Sequence, residues 1–164
     1  MKLFKTFLIL LYCIPVFSQT FSERVTCSLG ISINFPGKPS YSKTRDPNIG
    51  TYSYLYNYTY NGSDFVFQVN QLIYPVSERD LIDEKDVVVN SFVQSVNGSL
   101  QNSRLIKMHN RNCIEFSYKT FLPSQRINRS HVYVFKNHLI IITYSSEDFK
   151  DELFHNFTNS IIFP

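Results

Sequence analysis

The chain has 164 residues and a formal charge of +3, from 16 Lys+Arg against 13 Asp+Glu. Hydrophobic residues make up 43% and aromatic residues 16%, which is ample for one packed core. So small a charge gives no electrostatic case for binding nucleic acid or an anionic membrane.

The N-terminus has the three parts of an export signal. Lys2 and Lys5 form a positive start, Phe7 to Phe17 is apolar, and Val16-Phe17-Ser18 offers a cleavage site before Gln19. The apolar run is shorter than the ~20 residues a membrane span needs. Residues 1–18 are therefore expected to be a cleaved signal peptide, and residues 19–164 a single globular domain, exported to the periplasm or secreted. Cleavage removes two of the excess cations and leaves a near-neutral domain. No later segment is expected to span a membrane.

Cleavage also leaves two cysteines, Cys27 and Cys113. In an oxidising compartment they suggest one disulfide, worth about 4 to 5 kcal/mol over so long a loop. Two buried free thiols are the alternative.

Ile31, Ile33 and Phe35 alternate with Ser32 and Asn34, a half-buried strand, and Pro36-Gly37-Lys38-Pro39 stops it. Thr51 to Tyr60 reads as a strand with Tyr52, Tyr54, Tyr56, Tyr58 and Tyr60 on one face. Asn61-Gly62 is a turn, and Phe65 to Tyr74 returns. Such a hairpin puts the tyrosines beside Phe65, Phe67, Val69 and Ile73. The tyrosine face is then either a core face under a helix or an exposed aromatic platform for a glycan, peptide or lipid.

Val89, Phe92, Val93 and Val96 predict a helix that closes at Gly98, with Asp83, Glu84 and Asp86 near its start. Leu105 to His109, Cys113 to Phe121 and Ile127 to Phe135 predict strands. Leu139 to Tyr144 is apolar on both faces and predicts a central strand. Ser145-Ser146-Glu147-Asp148 resembles a capping box. Phe149, Leu153 and Phe157 then mark a C-terminal helix. The expected architecture is α+β: a largely antiparallel central sheet with helices on both faces.

The order of Ile33-Asn34-Phe35-Pro36-Gly37-Lys38-Pro39, Leu72-Ile73-Tyr74-Pro75, Asn112-Cys113-Ile114-Glu115-Phe116 and Val132 to Ile140 resembles the PsbP-like family. Phe157-Thr158-Asn159-Ser160-Ile161 resembles its closing segment. The resemblance implies an α/β/α sandwich and an exported bacterial protein. It implies little about activity.

No catalytic signature is present. The sequence holds no Gly-x-Ser-x-Gly elbow, no phosphate-binding glycine loop and no metal-ligand spacing among His109, His131, His138 and His155. Glu115 reads as a solvent-facing or Lys/Arg-paired carboxylate rather than a general base. Arg126, Arg129 and His131 make a candidate basic patch on a strand face for an acidic partner. Five Asn-x-Ser/Thr sequons, at Asn57, Asn61, Asn97, Asn128 and Asn156, carry meaning only in a eukaryotic secretory protein. The expected function is a non-enzymatic envelope or secreted binding module, without a cofactor, for an unknown protein or envelope component. A small hydrolase with a dispersed site and a carrier of an apolar ligand are the alternatives.

Overall fold

The computed structural model describes residues 20–45, 54–72, 77–136 and 138–164. The signal segment, Tyr52, Ile73 and Asn137 lie outside the described residues. In chain order the elements are β1 (Glu23–Thr26), β2 (Ser32–Phe35), β3 (Ser40–Arg45), β4 (Tyr54–Asn61), β5 (Phe65–Leu72), α1 (Glu78–Asp83) and α2 (Lys85–Ser95). There follow β6 (Ser99–Met108), β7 (Arg111–Thr120), β8 (Arg126–Phe135), β9 (His138–Ser146) and α3 (Asp151–Asn159). Mostly antiparallel sheet with three short helices is thus the architecture.

β9 is central because it is apolar on both faces. Leu139 to Tyr144 are all buried, and β9 pairs with β5 on one side and β8 on the other. The seven strands run in the order β3-β4-β5-β9-β8-β7-β6, all antiparallel, while β1 and β2 form a separate pair. Leu55↔Leu72 and Tyr58↔Val69 set the β4–β5 register, so Tyr58 shares a face with Phe67 and Val69.

Strand alternation divides the core in two. A first cluster takes Ile33 and Phe35 of β2, Tyr58, Phe67, Cys113, Tyr133, Ile142 and Tyr144 from the sheet, and Phe154 and Phe157 of α3. Phe157 lies 4.6 Å from Phe67 and 5.2 Å from Phe35, centroid to centroid. Burying each such ring stabilises the fold by about 1.5–3 kcal/mol. A second cluster joins Leu81 of α1 and Val89 and Val93 of α2 to Ile114, Phe116, Tyr118, Val132 and Ile141.

Helix ends differ from the expectation in two places. Ser145 and Ser146 belong to β9, and α3 begins at Asp151 behind Lys150 with no side-chain cap. The Ser146 hydroxyl instead donates to the carbonyls of Asp64 and Asp148, which ends the strand in place of capping a helix. A capping box does occur at α1, where Ser77 and Asp80 exchange bonds of 3.0 Å. At the end of α2 the left-handed residue is Asn97 (φ 51), not Gly98. Gly98 N–H bonds Val93 C=O and Asn97 N–H bonds Gln94 C=O, a Schellman closure.

Candidate functional site

Glu115 sits mid-strand in β7, only 5% exposed. Its neighbours across the sheet are Arg104 of β6 and His131 of β8, one row deep on the same face. One carboxylate oxygen accepts from Arg104 Nε at 2.8 Å, Arg104 Nη2 at 2.5 Å and Arg129 Nη2 at 3.0 Å. The other accepts from His131 Nε2 at 2.9 Å. Behind the ring, Tyr133 Oη lies 3.3 Å from His131 Nδ1.

The protonation states follow from this geometry. The bond from His131, with the Arg129 and Arg104 guanidiniums, holds the Glu115 carboxyl far below the usual carboxylate range, against its burial. Burial lowers the His131 pKa and outweighs the pull of Glu115, so the imidazole is neutral. A neutral ring facing a carboxylate donates through Nε2–H and accepts at Nδ1 from the Tyr133 hydroxyl. Burial pushes the Tyr133 pKa upward, so its hydroxyl keeps the proton that it donates.

Above this network lies a cleft of about 470 Å³. Asn102, Arg104, Glu115, Ser117 and Arg129 form its floor, and Ile127, Phe149 and Asp151 stand at its margin. Arg129 Nη1 donates to Asp151 at 2.6 Å, and its guanidinium lies 5.0 Å from the Phe154 ring centroid. Ser117 Oγ donates to Asn102 Oδ1 at 3.0 Å.

The basic patch is not formed. Alternation along β8 sends Arg126 to the opposite face, where it lines a separate hollow with Asn128 and Thr143. Arg129 is ion-paired twice, and His131 is 1% exposed and neutral. The sequence misread these residues because it took three nearby cations as one surface. The usable signal was Glu115, an ionisable group flanked by Ile114 and Phe116, whereas Arg129 and His131 stand among the polar residues Asn128 and Ser130.

The disulfide is corrected as well: Cys27 and Cys113 are free and buried. Burial pushes each thiol up to about 12, so neither is a nucleophile at neutral pH. Of the aromatic set, Tyr58 is buried at 8% exposure, while Tyr54 and Tyr56 are half-buried. Lys43 of β3 places its ammonium 4.2 Å from the Tyr54 centroid and 5.0 Å from that of Tyr56. The tyrosines are therefore divided between the first cluster and a cation contact at the sheet margin.

A second groove, of about 570 Å³, runs between α2 and the sheet. Val87, Val88, Phe92 and Val96 wall it, and Leu55, Leu72, Leu139 and Ile141 lie on its sheet side with Asn57, Gln68 and Asn70. Among the described residues, no three His, Cys, Asp or Glu side chains are placed to hold a metal ion. No described helix is long and apolar enough to cross a membrane.

No protein-family model matches the sequence, and no curated protein does. Solved structures do resemble it. The solution structure of cyanobacterial PsbP (CyanoP) from Synechocystis sp. PCC 6803 matches with a TM-score of 0.59 at 14% identity, over 87% of this chain and 92% of that one. A crystal structure from Bacteroides thetaiotaomicron VPI-5482 matches with a TM-score of 0.55 at 11% identity, over 88% of this chain and 49% of that one. What the chain shares with both is the fold, and that fold is PsbP-like.

Proposed function

We propose that the chain is an exported, non-enzymatic binding module whose ligand site is the cleft above Glu115. The observation that carries this reading is the saturation of the Glu115 carboxylate by two guanidiniums and one imidazole. A carboxylate so held is a poor general base, because every partner stabilises its ionised form. His131 lies beneath it and away from solvent. The ionisable groups thus build a rigid floor for recognition rather than a proton-transfer pair.

The same reading takes the fold as an α/β/α sandwich of PsbP type. Supporting it, α3 packs into the first cluster and α1 and α2 into the second, which alternate along β7. The signal-like N-terminus supports export to the periplasm or the exterior. Protein recovered outside the cytoplasm with Gln19 at its N-terminus is the expected result. Recovery of the intact chain in the cytoplasm would refute it.

Enzyme and binding module are separated by assay. The wild type is expected to turn over nothing in a panel of ester, amide and glycoside substrates, while small fragments shift NMR signals of Asn102, Arg104 and Ser117. Turnover lost in Glu115→Gln, with the fold retained, would replace the binding module by a hydrolase. The groove beside α2 supports a second reading, a carrier. Its walls are largely apolar on both sides, with three carboxamides among the sheet residues, which suits a ligand with a long apolar body. Delipidated protein that restores its thermal stability with a fatty acid, and loses the response in Phe92→Asp, would favour the carrier.

A further inference from the structure

Given that the cleft is the ligand site, its donors define what it takes. Glu115 fixes two guanidiniums through one oxygen. Arg104 spends Nε and Nη2 on that oxygen, and among the described residues its Nη1 has no partner. Its side chain is 65% exposed, so the free edge of the fork faces solvent over the cleft. Arg129 is 19% exposed, and its Nη1 holds Asp151. Asn102 accepts from Ser117 through Oδ1, which leaves its NH₂ as a further donor. The cleft floor is therefore rich in donors held in place by one buried anion.

Asp151 shows what these donors accept. Its side chain is 71% exposed, at the first turn of α3, against a guanidinium fixed by Glu115 and by the Phe154 ring. With its carboxylate so exposed, this pair is screened by solvent on the Asp151 side. A carboxylate that met Arg129 and Arg104 together would gain charge-assisted bonds from two guanidiniums where Asp151 has one, and would displace Asp151 at little cost. We infer that the cleft binds a small organic acid through its carboxylate, and that Asp151 is the internal occupant which that acid replaces.

Charge and shape favour an organic acid over phosphate. With His131 neutral, Arg104 and Arg129 balance Glu115 and Asp151. Release of Asp151 leaves room for one negative charge, not two. Phe149 and Ile127 at the margin offer apolar surface to the body of the ligand. The volume, about 470 Å³, suits a small molecule.

The test is an NMR titration of the protein with benzoate, with benzamide and inorganic phosphate as controls. Benzoate is expected to shift the Asn102 side-chain NH₂ and the Nε–H signals of Arg104 and Arg129. Asp151→Ala should tighten benzoate by about fivefold, the upper worth of an exposed pair. Arg104→Gln should weaken it by at least as much. Asp151 is largely exposed, so its variant keeps the fold readout intact. Benzamide binding as tightly as benzoate, phosphate binding more tightly, or no gain in Asp151→Ala would each overturn the inference. Neutral fragments that shift the cleft signals while benzoate does not would leave a binding site standing and the acid refuted. No shift from any compound class would refute both.

Discussion

Glu115 is itself 5% exposed, so an unpaired charge there would be costly. Its worth lies in its partners. Glu115→Gln removes charge-assisted bonds to both guanidiniums, but Arg129 keeps Asp151 and Arg104 is largely exposed, so the loss should be about 1.5–3 kcal/mol. Urea unfolding at neutral pH is the measurement, and a loss below about 1 kcal/mol would mean the network is solvated. The pH dependence has a definite sign. His131 is kept neutral by burial, so below its ordinary value of about 6.5 the unfolded chain takes up a proton that the fold refuses. Glu115 is kept ionised, so below about 4.3 the unfolded chain takes up a second. Both effects reduce stability as the pH falls. The first starts near the unfolded His value and ends at the lower folded one. The second starts near the unfolded Glu value and runs well below it. The melting temperature should therefore fall in two stages from about pH 7 to about pH 3, with the lower stage missing in Glu115→Gln. A flat profile through the upper stage would show that folded His131 takes up its proton as readily as the unfolded chain does.

At the scale of elements, α3 is held by its aromatic face. Phe157 is fully buried against Phe35 and Phe67, so Phe157→Ala should cost about 3–5 kcal/mol in urea unfolding. A cost near 1 kcal/mol would mean that α3 is loosely docked. α2 is closed by Asn97 in a left-handed conformation. Asn97→Gly should be neutral or slightly stabilising, while Asn97→Ala should cost about 1 kcal/mol. Much of this was readable in advance. Ile31-x-Ile33-x-Phe35, the tyrosine alternation of β4 and the doubly apolar run of β9 each carry a strong periodic signal. β3 carries none, because Ser40 to Arg45 are all exposed at a sheet edge and nothing selects apolar residues there. β1 is equally silent for a similar reason, with three of its four residues exposed. Part of the site was legible too. Glu115 is an ionisable residue flanked by Ile114 and Phe116, while Arg129 and His131, among Asn128 and Ser130, carry no such contrast. Arg104 joins them only through the β6–β7 register, which contains a bulge between Leu100 and Asn102 that no local pattern announces.

For the whole molecule, the sheet is two meanders joined by one long-range pairing. β3-β4-β5 and β6-β7-β8-β9 each follow the chain, and β5 meets β9 across the intervening helices. That seam is covered by aromatic rings. Phe67 stacks on Tyr144 at 4.8 Å, Val69 faces Ile142, and Phe157 lies over Phe67. Buried hydrogen bonds at such a seam open only with the whole structure, whereas edge strands open locally. Native-state hydrogen exchange should therefore rank β5, β8 and β9 as slowest and β3 and β6 as fastest. The edges differ between themselves, since Arg104 ties β6 to the buried Glu115, while β3 rests on β4 through Lys43 over the Tyr54 and Tyr56 rings, Tyr41 against Tyr58, and Ser40 Oγ on the Thr59 carbonyl. Exchange in β6 should rise in Glu115→Gln and that in β3 should not. Equal acceleration in both edges would mean that Glu115 stabilises the sheet as a unit, and that the cleft above it is a by-product of core stability rather than a site built on a fixed floor.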